Sequence, residues 1–204
     1  MESAVIRSYG FWIVSRYYQY MTDNRTLHAF QKFLRYVEGE VSDEELEKAH
    51  KAAVEAASEA EDHYEKVKDD CDARASHLAD DRPELTEERA WSWGLSIANA
   101  DLAVERATVY IAKAVAQLTS GCDTFDDTDA VGEAVAQAAA ELAYADEAED
   151  TAKAILAGGK IPLSPWRVWN AAADFGFDSE RAEQKKELLR LERKESKRAT
   201  AAVA

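Results

Sequence analysis

Three prolines and eight glycines in 204 residues leave few places where the chain must turn. That scarcity, with alanine dominating the apolar residues, suits a chain of helices with few interruptions. No run of apolar residues near the N-terminus is longer than Phe11 to Val14, too short for a signal-peptide core or a membrane span. Only two cysteines occur, Cys71 and Cys122. In the helical pairing derived below they fall at opposite ends of a hairpin, roughly 40 Å apart, which no disulfide bridges. Free thiols and no leader fit a reducing, cytoplasmic setting. Gly-rich phosphate loops, Gly-x-Ser-x-Gly elbows and Cys-x-x-Cys pairs are all missing.

What is present is alanine, glutamate and aspartate. Hydrophobic residues are 47% of the chain and charged residues 32%, enough of each for a folded domain rather than a solvated tail. Ala and Glu favour helix, and β-branched residues are few. Net charge is −15, and its distribution is uneven. Residues 1–40 have 5 basic and 4 acidic groups; residues 161–204 have 9 basic and 7 acidic. Residues 41–160 have 29 acidic and 11 basic groups, a net of −18, so the acidity belongs to the middle.

Apolar periodicity divides the chain into helices. Residues 2–21 carry Val5, Ile6, Tyr9, Trp12, Ile13, Tyr17 and Tyr20 at helical spacing. With only Arg7 and Arg16 as cations, this segment reads as a core helix rather than a membrane-surface one. A helix over 24–38 places Leu27, Phe30, Phe33, Leu34 and Val37 on one side, and Gly39 ends it. Ser42 and Glu45 form a capping box opening a helix to about Leu78, with a seam of small residues including Ala49, Ala53, Ala56, Ala60 and Cys71. Thr86 caps a helix with Glu87 and Glu88 in its first turn; from Ala90 to Leu118 it is apolar around most of its circumference and therefore central, and Gly121 ends it. It bears a narrow polar stripe: Ser92, Ser96, Asn99, Arg106, Lys113 and Gln117. A fifth helix runs over 129–157, with Val131, Val135, Ala138, Leu142, Ala145, Ala152 and Ile155 inward, and stops at Gly158 and Gly159. Ser164-Pro165 opens a short helix through Trp166 and Trp169, and Asp178 opens a last helix that grows basic through Lys185, Lys186, Arg190, Arg193, Lys194, Lys197 and Arg198.

Short connections force antiparallel neighbours. The expected fold is all-α: one domain over 1–204, an antiparallel bundle of three long helices with shorter N- and C-terminal helices packed on it. Residues 1–40 supply the aromatic N-terminal helices, 41–160 the acidic bundle and 161–204 the basic C-terminal helices.

Catalytic constellations are not evident. A di-iron bundle needs two Glu-x-x-His pairs, and the sequence has one, Glu47 to His50, with His50 expected to face solvent. Glu44-x-x-Glu47 and Glu147-x-x-Asp150 resemble the magnesium carboxylates of all-helical nucleotide hydrolases, but each sits in a run of acids that reads as outward-facing. His28, His50, His63 and His77 lack ligand spacing. Arg106 and Lys113 could bind an anion in a pocket; the favoured reading is an inter-helix network with acids such as Glu133 and Glu141. No catalytic residue, metal or cofactor is expected.

Between Glu55 and Asp72 lie 8 acidic residues and 2 lysines. As helix this stretch spans roughly 26 Å, about one net negative charge every 4 Å. A DNA strand carries one phosphate about every 3.4 Å. The candidate surface comprises Glu55, Glu59, Asp62, Glu65, Asp69, Asp70 and Asp72, joined at one end of the bundle by Asp80, Asp81, Glu84, Glu87, Glu88, Asp146, Glu147, Glu149 and Asp150. It is either a solvated face that confers solubility or a mimic of nucleic acid that attracts a basic protein.

The stretch from Gly39 to Ala57 (GEVSDEELEKAHKAAVEAA) is similar to the opening of alanine-rich helical immunity proteins of toxin–immunity loci and phages. Ser179 to Leu189 (SERAEQKKELL) resembles their closing helix. About half of the chain is covered, and the middle departs from the family in being far more acidic. The resemblance implies a small intracellular protein that neutralises another protein, and it supplies no catalytic residues.

The expected function is a non-enzymatic acidic inhibitor of a basic, nucleic-acid-handling enzyme or toxin, binding neither nucleic acid nor membrane. The alternatives are a homo-oligomeric scaffold built on Tyr17, Tyr18, Tyr20, Trp166 and Trp169, and a magnesium-dependent nucleotide hydrolase.

Overall fold

The computed structural model describes residues 24–120 and 125–158, which form five α-helices and no strand. The helices expected over 2–21, after Ser164 and from Asp178 lie outside these residues, as do Gly121 and Cys122.

Helix α1 (Asn24–Val37) buries Leu27, Phe30 and Phe33, the residues whose spacing predicts it. Gly39 ends it with φ +76: its N–H donates to the Tyr36 carbonyl, and the N–H of Glu40 donates to that of Arg35. This is a Schellman turn, which a left-handed residue makes possible. Val37, expected on the inner face, is 56% exposed because α1 is leaving the core there.

Helix α2 (Asp43–Asp69) starts as expected. The Ser42 hydroxyl accepts from the Glu45 N–H, and the Glu45 carboxylate accepts from the Ser42 N–H. Lys32 of α1 lies 3.0 Å from the same carboxylate, and together with Ser42 it holds the Glu45 carboxyl below its usual range.

The single helix expected to run to Leu78 is instead two. Asp70 (φ −90, ψ −1) interrupts it for one residue, and α3 (Cys71–Asp80) follows. Apolar spacing reads straight through so brief a break. Helix α3 presses its backbone onto Gly94 of α4, where a Cβ would collide with the Ala75 carbonyl.

Helix α4 (Glu87–Thr119) begins after Thr86, which has the extended backbone of an N-cap but makes no side-chain cap bond, contrary to expectation. Helix α5 (Phe125–Leu156) begins four residues earlier than position 129 and stops at Gly158, φ +73.

Helix α4 is the hub, packing against all four others. One core joins Phe30 and Phe33 of α1, Leu46 and Ala53 of α2, Ile111, Val115 and Leu118 of α4, and Val131, Val135 and Leu142 of α5. Smaller clusters follow along α4: Cys71 and Ala75 on Ala98, Ala145 and Ala148 on Ala100 and Ala103, and Ala152 and Ile155 on Trp93. Along α2 and α3 the partners on α4 fall in number as position rises: His50 meets Ala116, Glu61 meets Lys113, His63 meets Glu105 and Arg74 meets Asp101.

Candidate functional site

Thirteen of the sixteen candidate carboxylates are exposed, while Asp146, Glu147 and Asp150 on α5 are part-buried, so the acids do not all project fully into water. Along α2, Glu55, Glu59, Asp62 and Asp69 recur at helical spacing on the side opposite the buried Ala49, Ala53, Ala56 and Tyr64. Glu65 flanks them, and Asp70 and Asp72 continue across the break.

A second group gathers where α3 ends, α4 begins and α5 ends. Arg89 of α4 donates to the Ile155 carbonyl, satisfying the end of α5. The Arg82 guanidinium lies 4.4 Å from the Trp93 ring centroid and fixes the connection above the apolar cluster of Trp93, Ala152 and Ile155. Asp80, Asp81, Glu84, Glu87 and Glu88 are exposed around this end, beside Glu149 on α5.

Several of these acids carry local counterions. Arg25 pairs with Glu59, Lys68 with Glu65 at 2.6 Å, Arg82 with Glu84 at 3.4 Å, and Lys153 with both Glu149 and Asp150. Such exposed pairs contribute little stability and leave the surface acidic. Pairing raises the Lys153 and Lys68 ammonium groups above their usual range, through Asp150 first for the former and Glu65 for the latter.

Two residues of the polar stripe of α4, Lys113 and Arg106, turn to α2. Lys113 lies 2.9 Å from Glu61, and the Arg106 guanidinium sits 5.4 Å from the Tyr64 ring centroid. Of the partners expected for them, Glu133 is exposed and Glu141 is only 1% exposed. Ser92 and Ser96 donate to carbonyls of their own helix. His50, expected in solvent, is half-buried, with Nδ1 at 3.1 Å from the Ala116 carbonyl and 3.3 Å from the Thr119 hydroxyl, and it ties α2 to the end of α4.

The two carboxylate pairs considered for magnesium are not brought together. Glu44 and Glu47 are exposed at the start of α2, bonded to Lys48 and Lys51, near the C-terminal end of α4. Glu147 and Asp150 lie toward the opposite end. Among the described residues no group of His, Cys, Asp and Glu is placed to hold a metal ion. Cys71 is buried, and that burial pushes its thiol up, away from thiolate chemistry.

Trp91, on a stretch of α4 expected to be apolar all round and central, is 41% exposed, with Glu87 and Glu88 one turn before it. The spacing from Glu87 to Trp91 was the available signal, obscured by the apolar character of the helix as a whole. Among the described residues no helix is long and apolar enough to cross a membrane. Comparison with protein-family models, with curated proteins and with solved structures returned no match.

Proposed function

We propose that the chain is a non-enzymatic acidic protein that inhibits a basic, nucleic-acid-handling protein, as a phage or bacterial anti-defence or immunity inhibitor does. In this reading α2 continued by α3, α4 and α5 form an antiparallel bundle of three long helices, with the terminal helices packed on it, in the cytoplasm. The observation that supports it is the line of exposed carboxylates along α2, from Glu55 through Glu59 and Asp62 to Asp69. A surface of that charge density repels nucleic acid and attracts a cationic groove built for phosphates. The resemblance of residues 39–57 and 179–189 to immunity proteins points to the same stoichiometric mode of action.

The test is capture of partners from a host lysate freed of nucleic acid, using the wild-type chain and a variant with Asp62→Asn, Asp69→Asn and Asp72→Asn. These amides keep the side-chain shape and remove the charge. The expected result is a basic nucleic-acid-binding protein that is released by raised salt and lost on the variant. Binding indifferent to both salt and the amides would place the interface elsewhere and end the reading.

A further inference from the structure

Helix α3 (Cys71–Asp80) is held more lightly than the helices around it. At 10 residues it is shorter than the roughly 12–15 at which a helix alone becomes even marginally stable in water. Only Cys71 and Ala75 of its side chains are buried, and its largest apolar one, Leu78, is partly buried. Helix α1, by contrast, buries Leu27, Phe30 and Phe33. Asp72, Ala73, Arg74, Ser76, His77 and Asp80 are exposed, and among the described helices α3 packs extensively on α4 alone. The seat of Ala75 on Gly94 is close, yet two such small residues take little apolar area out of water. Both ends of the helix work against it. Asp70 starts it without a side-chain cap bond, and Asp80 and Asp81 add negative charge where the helix carbonyls are already negative. Two arginines reach from this stretch to α4, Arg74 to Asp101 and Arg82 to the Trp93 ring. Arg74 and Asp101 are 52% and 41% exposed, and an ion pair so open to water adds little.

We propose that α3 is a releasable strap. It lifts from α4 as a unit, turning at Asp70 and along residues 81–86, while α1, α2, α4 and α5 stay folded. Asp70 suits the hinge because α2 already ends there. Its N–H donates to the Lys66 carbonyl, a bond that α2 keeps when α3 leaves. The core around Phe30 and Phe33 contains no residue of α3 and is not disturbed by its release. Units with little buried apolar surface open at a lower free energy than the whole domain does. Release bares the Cys71 thiol and the strip of α4 from Gly94 to Ala98, and it re-aims Asp72 and Asp80, which α3 carries. It follows from packing alone, whatever the acidic surface binds.

The test labels the full chain with N-ethylmaleimide, at concentrations where reclosing outruns reaction, and reads the Cys71 peptide by mass spectrometry. Labelling should run about a hundredfold or more slower than in the denatured chain. It should also stay nearly flat as urea rises toward the unfolding midpoint, because a local opening exposes little surface. A rate that climbs with urea as steeply as global unfolding does overturns the strap, and so does labelling as fast as in the denatured chain. Two full-length variants give a second reading. Gly94→Ala pushes on the Ala75 carbonyl and should speed Cys71 labelling about tenfold. Phe30→Leu thins the core around α1, lowers the global unfolding constant by a factor on the order of ten, and should leave Cys71 labelling unchanged. Acceleration by Phe30→Leu, or none by Gly94→Ala, also overturns the proposal.

Discussion

Around Phe30 and Phe33 the space between α1, α2, α4 and α5 is filled by large side chains, among them Ile111, Val115, Leu118 and Leu142. From Ala103 back to Ala90 along α4, contact is made by Ala75, Ala98, Ala145 and Ala148 instead, and α3 lies directly on Gly94. The first end is held by volume that only bulky residues supply. The second is held by closeness that only small residues permit. Trp93 and Ile155 are larger exceptions there, buried at the rim where α5 ends, with Leu78, Leu85 and Ile97 packed against them. The exposed acids from Asp80 to Glu88 thus lie at the end where α3 and α5 meet α4 largely through alanines.

That contrast gives opposite responses to substitution. Phe30→Ala should have the largest effect, about 3–5 kcal/mol, because a fully buried ring leaves a void that its neighbours fill only in part. Denaturant unfolding measures it, and a loss below about 1 kcal/mol would mean the large-residue end is looser than drawn. Gly94→Ala adds a single methyl and should still cost about 1–3 kcal/mol, since the Cβ meets the Ala75 carbonyl and α3 must shift. Helix propensity alone would make the same change favourable by roughly 1 kcal/mol, so the sign of the shift in melting temperature decides between closeness and propensity. Ser42→Ala should cost least, about 1 kcal/mol, because it removes a capping bond and touches neither core. A cost equal to that of Phe30→Ala would show that the start of α2, rather than the aromatic core, governs stability.

Much of this was legible from spacing. Leu27, Phe30 and Phe33 mark the buried face of α1, the pair Ser42 and Glu45 marks the start of α2, and Gly39 and Gly158 mark helix exits, because each signal is local. What spacing missed depends on neighbours. The one-residue break at Asp70 involves neither proline nor glycine, and it accompanies α3 settling onto Gly94. Lys113 and Arg106 turned to Glu61 and Tyr64 rather than to Glu133 and Glu141, because which side of α4 faces α2 is set by tertiary packing. His50 was misplaced for the same reason: its partners are the Ala116 carbonyl and the Thr119 hydroxyl, 66 and 69 positions away. For the acidic surface, the exposure of α2 followed from its apolar face being on the other side, whereas the part-burial of Asp146, Glu147 and Asp150 did not.

Gly39 and Gly158 differ from Gly94 in what they forbid. Nothing lies within 4 Å of a methyl group placed at either helix exit, so size is no obstacle there. The obstacle is chirality, because the positive φ of these two residues suits the mirror image of an ordinary amino acid. A D-alanine introduced by chemical ligation would adopt each turn unstrained and stiffen the unfolded chain. At Gly94 the L form meets the backbone of α3, and the D form is disfavoured by the right-handed helix it would sit in.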